Sequence, residues 1–382
     1  MIYIAMDMRY NMITYISALS GETMKIISFF NNKGGVGRST LTYHLAHALA
    51  EMCHKTLIID LDPQCNISLQ GIGSEQLNAI WEEEDRFIAD YESACANSSE
   101  KELHHLLHNP RSIHFHLKPT EDGLSDFDRI LPTCNLAPNL DLIPGRLSLH
   151  TYEHCVVERW NTIYAADVLA IRTITQIRAI AEKYAESFGY EYILIDLSPS
   201  LGVLNKAVLS TVDGIFIPAL PDMFSIYGIK NLHESMKAWE KERNVILSFL
   251  SKTHKEKFPK NFARILGYTI FNAKSSAGLN GLGLSNQDYG YFQQIVDYMR
   301  VNFGDDYTKP LGPRLTMFSH GEMVRMAQKY RLPMWLVPDS QKLLQLDKPL
   351  IKVKSNHYSA TRQAYLEFAC NVRDILHDHS ST

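Results

Sequence analysis

The sequence predicts an α/β protein built on a mostly parallel, twisted β-sheet with helices flanking both faces. Short apolar, β-branched runs alternate along the chain with segments whose apolar residues recur at helical spacing. The first run, MKIISFF at 24–30, passes directly into a glycine-rich turn, and a helical pattern follows. A strand, a tight turn and a helix in that order are the unit from which parallel sheets are built.

The strands are expected to be buried on both faces, because their residues are apolar throughout instead of alternating with polar ones. Runs of this kind predict strands at 24–30, 55–60, 139–144, 192–196, 214–219, 263–271 and 332–338. Helical spacing predicts helices from Ser39 onward, from Phe224 onward and over 357–377.

We expect one domain over 24–376, interrupted by an insertion at about 75–135 and a mobile loop at about 273–288. The insertion is indicated by charge, since 75–102 holds nine acidic residues against two basic ones. The loop is indicated by its Gly, Ser and Asn content. Residues 1–23 are interpreted as an N-terminal extension and 377–382 as a tail.

Composition narrows the class of protein. The 382 residues are 45% hydrophobic and 21% charged, which is typical of a globular chain with a large core. A net charge of -4 neither favours nor excludes nucleic acid, since it is only an average. Six cysteines without a C-x-x-C pair are typical of a reduced cytoplasmic protein. No apolar window of about 18 residues predicts a membrane span.

The stretch NNKGGVGRST at 31–40 predicts a phosphate-binding loop. Its glycines, Gly34, Gly35 and Gly37, would allow successive backbone N–H groups to point into one concavity. The helix that follows would add the positive end of its dipole. Ser39 stands where a hydroxyl would reach Mg²⁺, but Arg38 occupies the position at which such loops carry lysine.

Lys33 directly precedes the glycines, and the resulting K-G-G-x-G-R-S resembles the deviant Walker A motif of the ParA/MinD family of P-loop ATPases. ParA-type partition ATPases are the most similar branch. The resemblance extends to segments at 57–66 (LIIDLDPQCN), 139–149, 192–202 (YILIDLSPSLG), 224–232, 337–351 and 365–369. It implies a P-loop NTPase fold, with ATP and Mg²⁺ as ligands and ATP hydrolysis as the reaction.

The resemblance also implies roles for individual residues. The phosphates would be wrapped by Gly34, Gly35, Val36, Gly37, Arg38, Ser39 and Thr40. Ser39 would bind Mg²⁺ directly and Asp196 would hold it through water. Asp62 would orient the attacking water, while Asp60 would be either a carboxylate of the metal shell or a structural one.

Further matches concern a dimer and the adenine. Lys33 would reach across an ATP-closed homodimer to the phosphates of the partner subunit. Asn272, Pro338 and Asp339 would contact the base. Catalysis would thus involve Lys33, Asp62 and Arg38.

Arg38 is the main departure from the family pattern. A guanidinium is planar, broader than an ammonium and always charged, so the exchange is not conservative. Phosphoryl transfer depends on accurate positioning of charge. We therefore expect ATP to bind and to be hydrolysed slowly. The alternative is a switch that binds ATP without hydrolysing it.

Two functions remain open. The first is a partition or positioning ATPase, reset by a ParB-like or other activating protein, whose dimer binds non-specific DNA through the basic region 237–264. It would be cytoplasmic, and nucleoid-associated if it binds DNA. The second is a nucleotide-gated regulatory or defence interaction module with weak or no hydrolysis. A membrane role is disfavoured, because the C-terminal RDILHDHSST is not a basic amphipathic helix.

Overall fold

The computed structural model describes residues 24–273, 284–303, 316–318, 320–353 and 355–378. The expectations for 1–23, for most of the loop at 273–288 and for most of the tail lie outside these residues.

The strands of the described chain form one eight-stranded sheet in the order β3-β4-β2-β5-β1-β6-β7-β8. Their bounds are β1 Lys25–Phe29, β2 Thr56–Asp60, β3 Cys134–Ala137, β4 Leu140–Ile143, β5 Tyr192–Asp196, β6 Gly214–Ala219, β7 Arg264–Ala273 and β8 Thr316–Phe318. Only β3 and β4 pair antiparallel; the other neighbours are parallel. The mostly parallel sheet expected from the sequence is confirmed.

Helices connect these strands. The α-helices are α1 Arg38–Glu51, α2 Asn66–Ala89, α3 Tyr91–Ala96, α4 Glu100–Leu107, α5 Ile113–Glu121, α6 Leu149–Trp160, α7 Val168–Phe188, α8 Val203–Leu209, α9 Met223–Phe249, α10 Lys252–Lys255, α11 Asn286–Phe303, α12 Glu322–Tyr330, α13 Lys348–Val353 and α14 Ser355–Asp378. The helices expected after Ser39, after Phe224 and over 357–377 are confirmed as α1, α9 and α14.

Each inner strand contributes to two cores. Ile26 packs into the cluster that contains α7, whereas the next residue, Ile27, packs into the cluster that contains α1 and α14. Successive side chains of a strand point to opposite faces, so a strand between two helical layers must be apolar at every position. This explains why the strand runs show no polar alternation.

The expectation of a strand at 332–338 is wrong. Residues Met334–Asp339 form a 3₁₀ helix in which Met334, Trp335 and Val337 are buried. Pro333 and Pro338 have no N–H to donate to a sheet, so the apolar run packs as a short helical turn instead. Strands β3 and β8 were not expected, because both are short and neither is an apolar run: β3 reads CNLA and β8 reads TMF.

Residues 75–135 fold as part of α2 together with α3, α4 and α5, around a small core of their own. A buried ion pair anchors this unit to the segment after β4. The Glu84 carboxylate accepts hydrogen bonds from the Ser112 backbone N–H and hydroxyl at 2.6 Å each, and from the Arg146 guanidinium at 3.1 Å. Both Glu84 and Arg146 are buried.

We expect Glu84→Ala to destabilise the protein by about 3–5 kcal/mol, because it removes one partner of a buried charged pair. It also leaves two donors of Ser112 without an acceptor. Chemical denaturation would measure the loss. Glu82→Ala, at an exposed position on the same helix, should change the free energy of unfolding by less than about 0.5 kcal/mol, and an equal loss in both variants would contradict the assignment.

Buried histidines lie along α1. Burial lowers the pKa of His47 to about 3, and its Nε2 atom has no hydrogen-bond partner. In the unfolded chain an imidazole takes up a proton near pH 6.5. Between pH 6.5 and about 3 the unfolded state therefore binds more protons than the folded state, and stability falls as the pH falls.

His47→Leu is expected to reduce this acid sensitivity. The variant should flatten the dependence of the free energy of unfolding on pH by up to about 1.4 kcal/mol per pH unit, one proton's worth. Urea denaturation at several pH values between 6.5 and 4.5 would test it. His150→Leu, on the exposed face of α6, is the control; a slope unchanged in His47→Leu would show that the site does not stay neutral.

Candidate nucleotide site

Three polar segments meet at the carboxyl end of the central strands. The glycine loop follows β1, Asp60 ends β2 and Asp196 ends β5, and these strands are neighbours in the order β2-β5-β1. Asp60 and Asp196 lie directly opposite one another in the strand register. Parallel strands thus bring together residues that are more than 130 positions apart in the sequence.

The glycine loop requires glycine at 37. Its φ is +83°, a left-handed conformation that L-residues with side chains adopt only with strain. A Cβ at this position would also lie 2.3 Å from the ring of Phe271 on β7. Gly35 has φ +74°, whereas a Cβ at Gly34 would meet nothing within 4 Å. Backbone conformation and close packing therefore both fix Gly37.

The Arg38 side chain stabilises the glycine loop through hydrogen bonds to backbone carbonyls. Its Nη1 donates to the carbonyl oxygens of Asn31 and Lys33, each at 2.8 Å, and its Nε donates to the Leu197 carbonyl at 3.3 Å. Burial lowers the pKa of Arg38, while Asp196 and Asp62 oppose the decrease. The guanidinium thus connects the loop after β1 to the chain after β5.

Asp196 is fully buried, and neither of its carboxylate oxygens accepts a hydrogen bond of normal geometry. Burial raises its pKa well above the ordinary value, and the negative charge of Asp60 raises it further. The nearby hydroxyl of Ser39 partly opposes this increase. An unsatisfied buried carboxylate is costly, so this position favours a cation.

Asp60 has structural partners. Its Oδ2 accepts from the Ser68 N–H at 3.0 Å and from the Ser68 hydroxyl at 2.6 Å, and its Oδ1 accepts from the Asp62 N–H at 3.2 Å. Burial raises the pKa of Asp60 to about 7. These bonds favour the structural alternative for Asp60.

Asp62 is also buried and accepts from the Gln64 N–H at 2.9 Å. Asp62 lies on the turn between β2 and α2, beside the carboxyl-terminal ends of the central strands. Within the described residues, no three His, Cys, Asp or Glu side chains come together as a metal-binding group.

Lys33 is held within its own chain. Its ammonium forms an ion pair with Asp222 and lies 3.5 Å from the Ser225 hydroxyl. Asp222 also caps α9, since its other oxygen accepts from the Ser225 N–H at 2.8 Å. A Cβ on Gly228 would lie 2.7 Å from Asn31, so α9 packs closely against the loop.

Asp222 was not among the site residues expected from the sequence. An aspartate three residues before a serine, at the start of a helical pattern, is an N-cap signal that could have located it. The pairing with Lys33 could not have been read from the sequence, because 189 positions separate the two residues.

The residues expected to contact adenine lie on two elements. Asn272 is the second-last residue of β7, and its side chain is outside the described part. Pro338 and the exposed Asp339 lie on the 3₁₀ helix. The buried His44 links that helix to the loop, since Nδ1 contacts the Thr40 carbonyl at 2.8 Å and Nε2 accepts from the Met334 N–H at 3.2 Å.

Comparison with known proteins decides the family. A family model described as an AAA domain matches residues 24–249, more than half of the chain. The chain belongs to this family, as a ParA/MinD-type P-loop protein. Val36 is buried and Thr40 half-buried in its phosphate-loop segment.

Among curated relatives, an uncharacterised Methanocaldococcus jannaschii protein is 31% identical over 56% of this ParA/MinD-type chain and 66% of its own length. The sporulation initiation inhibitor protein Soj of Bacillus subtilis is 26% identical over 58% of this chain and 69% of its own length. The chain spans about half to two thirds of the length of the first such relatives.

Solved structures support the fold. The structure of pNOB8 ParA has a TM-score of 0.58 at 18% identity, with 94% of this chain and 100% of that chain covered. A Corynebacterium diphtheriae protein has a TM-score of 0.60 at 22% identity, with coverages of 83% and 100%. None of the helices in the described part of the chain combines the length and apolar character needed to cross a membrane.

Proposed function

We propose that this ParA/MinD-type chain binds ATP with Mg²⁺ on the loop 34–40 and that the nucleotide closes a homodimer. The observation that carries the proposal is Asp196, a fully buried carboxylate next to the glycine loop whose oxygens accept no hydrogen bond of normal geometry. Mg²⁺ commonly binds through one or two carboxylates, waters and substrate phosphates, and this matches a site without a group of three ligand side chains.

The residues present fit the metal. Ser39 would supply a hydroxyl ligand and Asp196 would hold the metal through water. Bound magnesium would neutralise charge on the β- and γ-phosphates. A structure of related fold supports the nucleotide part of the proposal: that of an aspartate-to-alanine variant of Cyanothece McdA in complex with ATP, with a TM-score of 0.51 at 17% identity.

Hydrolysis would depend on Asp62 and Arg38. Asp62 would orient the attacking water, and Arg38 would add positive charge near the phosphates. The Arg38 guanidinium, however, donates to three carbonyls, and these bonds would compete with phosphate for it. We therefore propose slow hydrolysis.

Arg38→Lys is expected to accelerate single-turnover ATP hydrolysis about tenfold, equivalent to about 1.4 kcal/mol in the barrier. A lysine is a compact point charge that reaches phosphate without the three carbonyl bonds. Arg38→Gln, which removes the charge, is the matched control and should lower both nucleotide binding and rate. Equal, brisk hydrolysis in the native chain and Arg38→Lys would contradict a rate-limiting Arg38.

The dimer would bind non-specific DNA through the basic region 237–264. The exposed cations there are Lys237, Lys241, Lys252, Lys255, Lys257 and Lys260. Arg243, which the sequence placed among them, is buried and donates to the Pro259 carbonyl. A structure of pNOB8 ParA bound to non-specific DNA, with a TM-score of 0.51 at 16% identity, supports this part of the proposal.

Retention on duplex DNA tests the DNA-binding proposal. We expect retention that requires ATP and weakens steeply with salt, because phosphate contacts release counterions. If ATP closes the dimer but DNA is not retained, the nucleotide-gated interaction module is favoured instead. The hydrogen bonds of Arg38 to backbone carbonyls favour that second function, in which hydrolysis is weak. A protein partner, ParB-like or of another kind, would then bind the dimer.

A further inference from the structure

A polar cavity of about 520 Å³ lies at the amino-terminal ends of the strands, on the side of the sheet away from the nucleotide loop. Its walls are the later turns of α9, the segment 260–263, the start of β7 at Arg264 and the end of α11. Strand β7 runs parallel to β6, and β6 runs parallel to β1. The amino-terminal end of β7 and the carboxyl-terminal end of β1 therefore lie on opposite sides of the sheet along the strand direction.

The cavity is strongly cationic. Four cations and one carboxylate line it, namely Lys237, Arg243, Lys260, Arg264 and Glu240. Asn244 and Asn261 also line the cavity and carry amide groups that can donate hydrogen bonds. Such a set of donors around one concavity suits a multiply charged oxyanion.

Arg243 is the buried element of this set. Its residue surface is only 4% exposed, and its guanidinium donates to the Pro259 carbonyl. Its Nε atom has no hydrogen-bond partner. A buried N–H without an acceptor is uncommon in folded proteins, and a charged donor left unsatisfied is especially costly.

We propose that this cavity binds a phosphate group, with Arg243 at its floor and Lys237 and Lys260 at its rim. The volume falls within the range of small-molecule sites, which is about 300–1,000 Å³. The phosphate is carried either on a free mononucleotide-sized molecule or on a nucleic-acid backbone, since both present the same oxygens. The nucleic-acid source rests on the proposed DNA binding, because the cavity lies within the basic region 237–264. The free-phosphate source does not rest on it, because the cavity shares no residue with the glycine loop.

Calorimetric titration with cytidine monophosphate tests the inference, with the glycine loop first saturated by magnesium and a non-hydrolysable ATP analogue. Cytidine, which lacks the phosphate, is the ligand control. We expect saturable binding of the monophosphate only, weakened about tenfold or more in Lys237→Gln/Lys260→Gln. Lys101→Gln/Lys348→Gln carries the same charge change on exposed lysines outside both the cavity and the basic region 237–264, and it should bind as the native chain does.

A short duplex provides the second arm. If the monophosphate does not bind but the cavity pair weakens duplex binding more than the control pair, the phosphate arrives on a nucleic-acid backbone. Equal losses in the two pairs, equal binding of cytidine, or no saturable phosphate binding in either arm would overturn the inference. Binding of the monophosphate by a chain that takes up no ATP would instead refute the proposed function alone.

Discussion

Asp196→Asn is expected to weaken magnesium-dependent nucleotide binding while stabilising the nucleotide-free protein. The carboxylate is fully buried, accepts no hydrogen bond of normal geometry and lies opposite Asp60 in the sheet. Burial and Asp60 raise the pKa of this carboxyl well above its ordinary value, so keeping it ionised costs free energy. A neutral amide avoids that cost, which should raise the free energy of unfolding by about 1–3 kcal/mol. Losing a carboxylate that holds the metal through water should weaken Mg²⁺-ATP binding about 10- to 100-fold.

Thermal denaturation without nucleotide and calorimetry with Mg²⁺-ATP would measure the two effects. Asp60→Ala is the contrasting variant, because Asp60 accepts two hydrogen bonds from Ser68. It should lower stability, since those donors lose their acceptor. An Asp196→Asn protein that binds Mg²⁺-ATP as tightly as the native chain would show that Asp196 does not hold the metal.

Lys33→Ala is expected to prevent ATP-dependent dimerisation without unfolding the chain. If Lys33 crosses to the partner's phosphates, truncating it should weaken the dimer by about 2–5 kcal/mol, the usual cost of removing one side of a buried charged contact. In the structure the ammonium is paired with Asp222 of its own chain. Lys33 must therefore leave Asp222 before it can reach a second subunit.

Asp222→Asn should have the opposite effect. Asparagine still caps α9, because Asn and Asp are similarly good N-caps, but the ion pair with Lys33 is lost. The dimer should therefore form at lower ATP concentration. Analytical ultracentrifugation over an ATP series would compare both variants, with Lys230→Ala, an exposed lysine on α9, as the control. Dimerisation of Lys33→Ala at native ATP concentrations would rule out the crossing lysine.

The sheet could be predicted from the sequence because its signal is local. The runs at 55–60, 192–196 and 214–219 are apolar throughout, and each became a strand packed between two cores. The run at 332–338 has similar composition but contains two prolines, each lacking a donor that a strand needs, whereas 214–219 forms a strand with one, Pro218. Composition alone could not separate these cases.

The glycine turn could be predicted because one local motif carries it, whereas contacts between distant segments could not. Gly37 could be singled out because a phosphate loop needs left-handed backbone there, and the structure gives it φ +83°. The partners of Lys33 and Arg38 could not, because they are set by packing of α9 and of the chain after β5. Arg243 was assigned to a charged surface, but burial placed it in a cavity instead.

We propose that the glycine loop binds Mg²⁺-ATP and that this binding joins two copies of the chain. Calorimetry and mass measurement on one purified sample, with and without Mg²⁺-ATP, test both parts together. We expect uptake of one nucleotide per chain together with a doubling of the particle mass. A sample that takes up no nucleotide and keeps the same mass would contradict it.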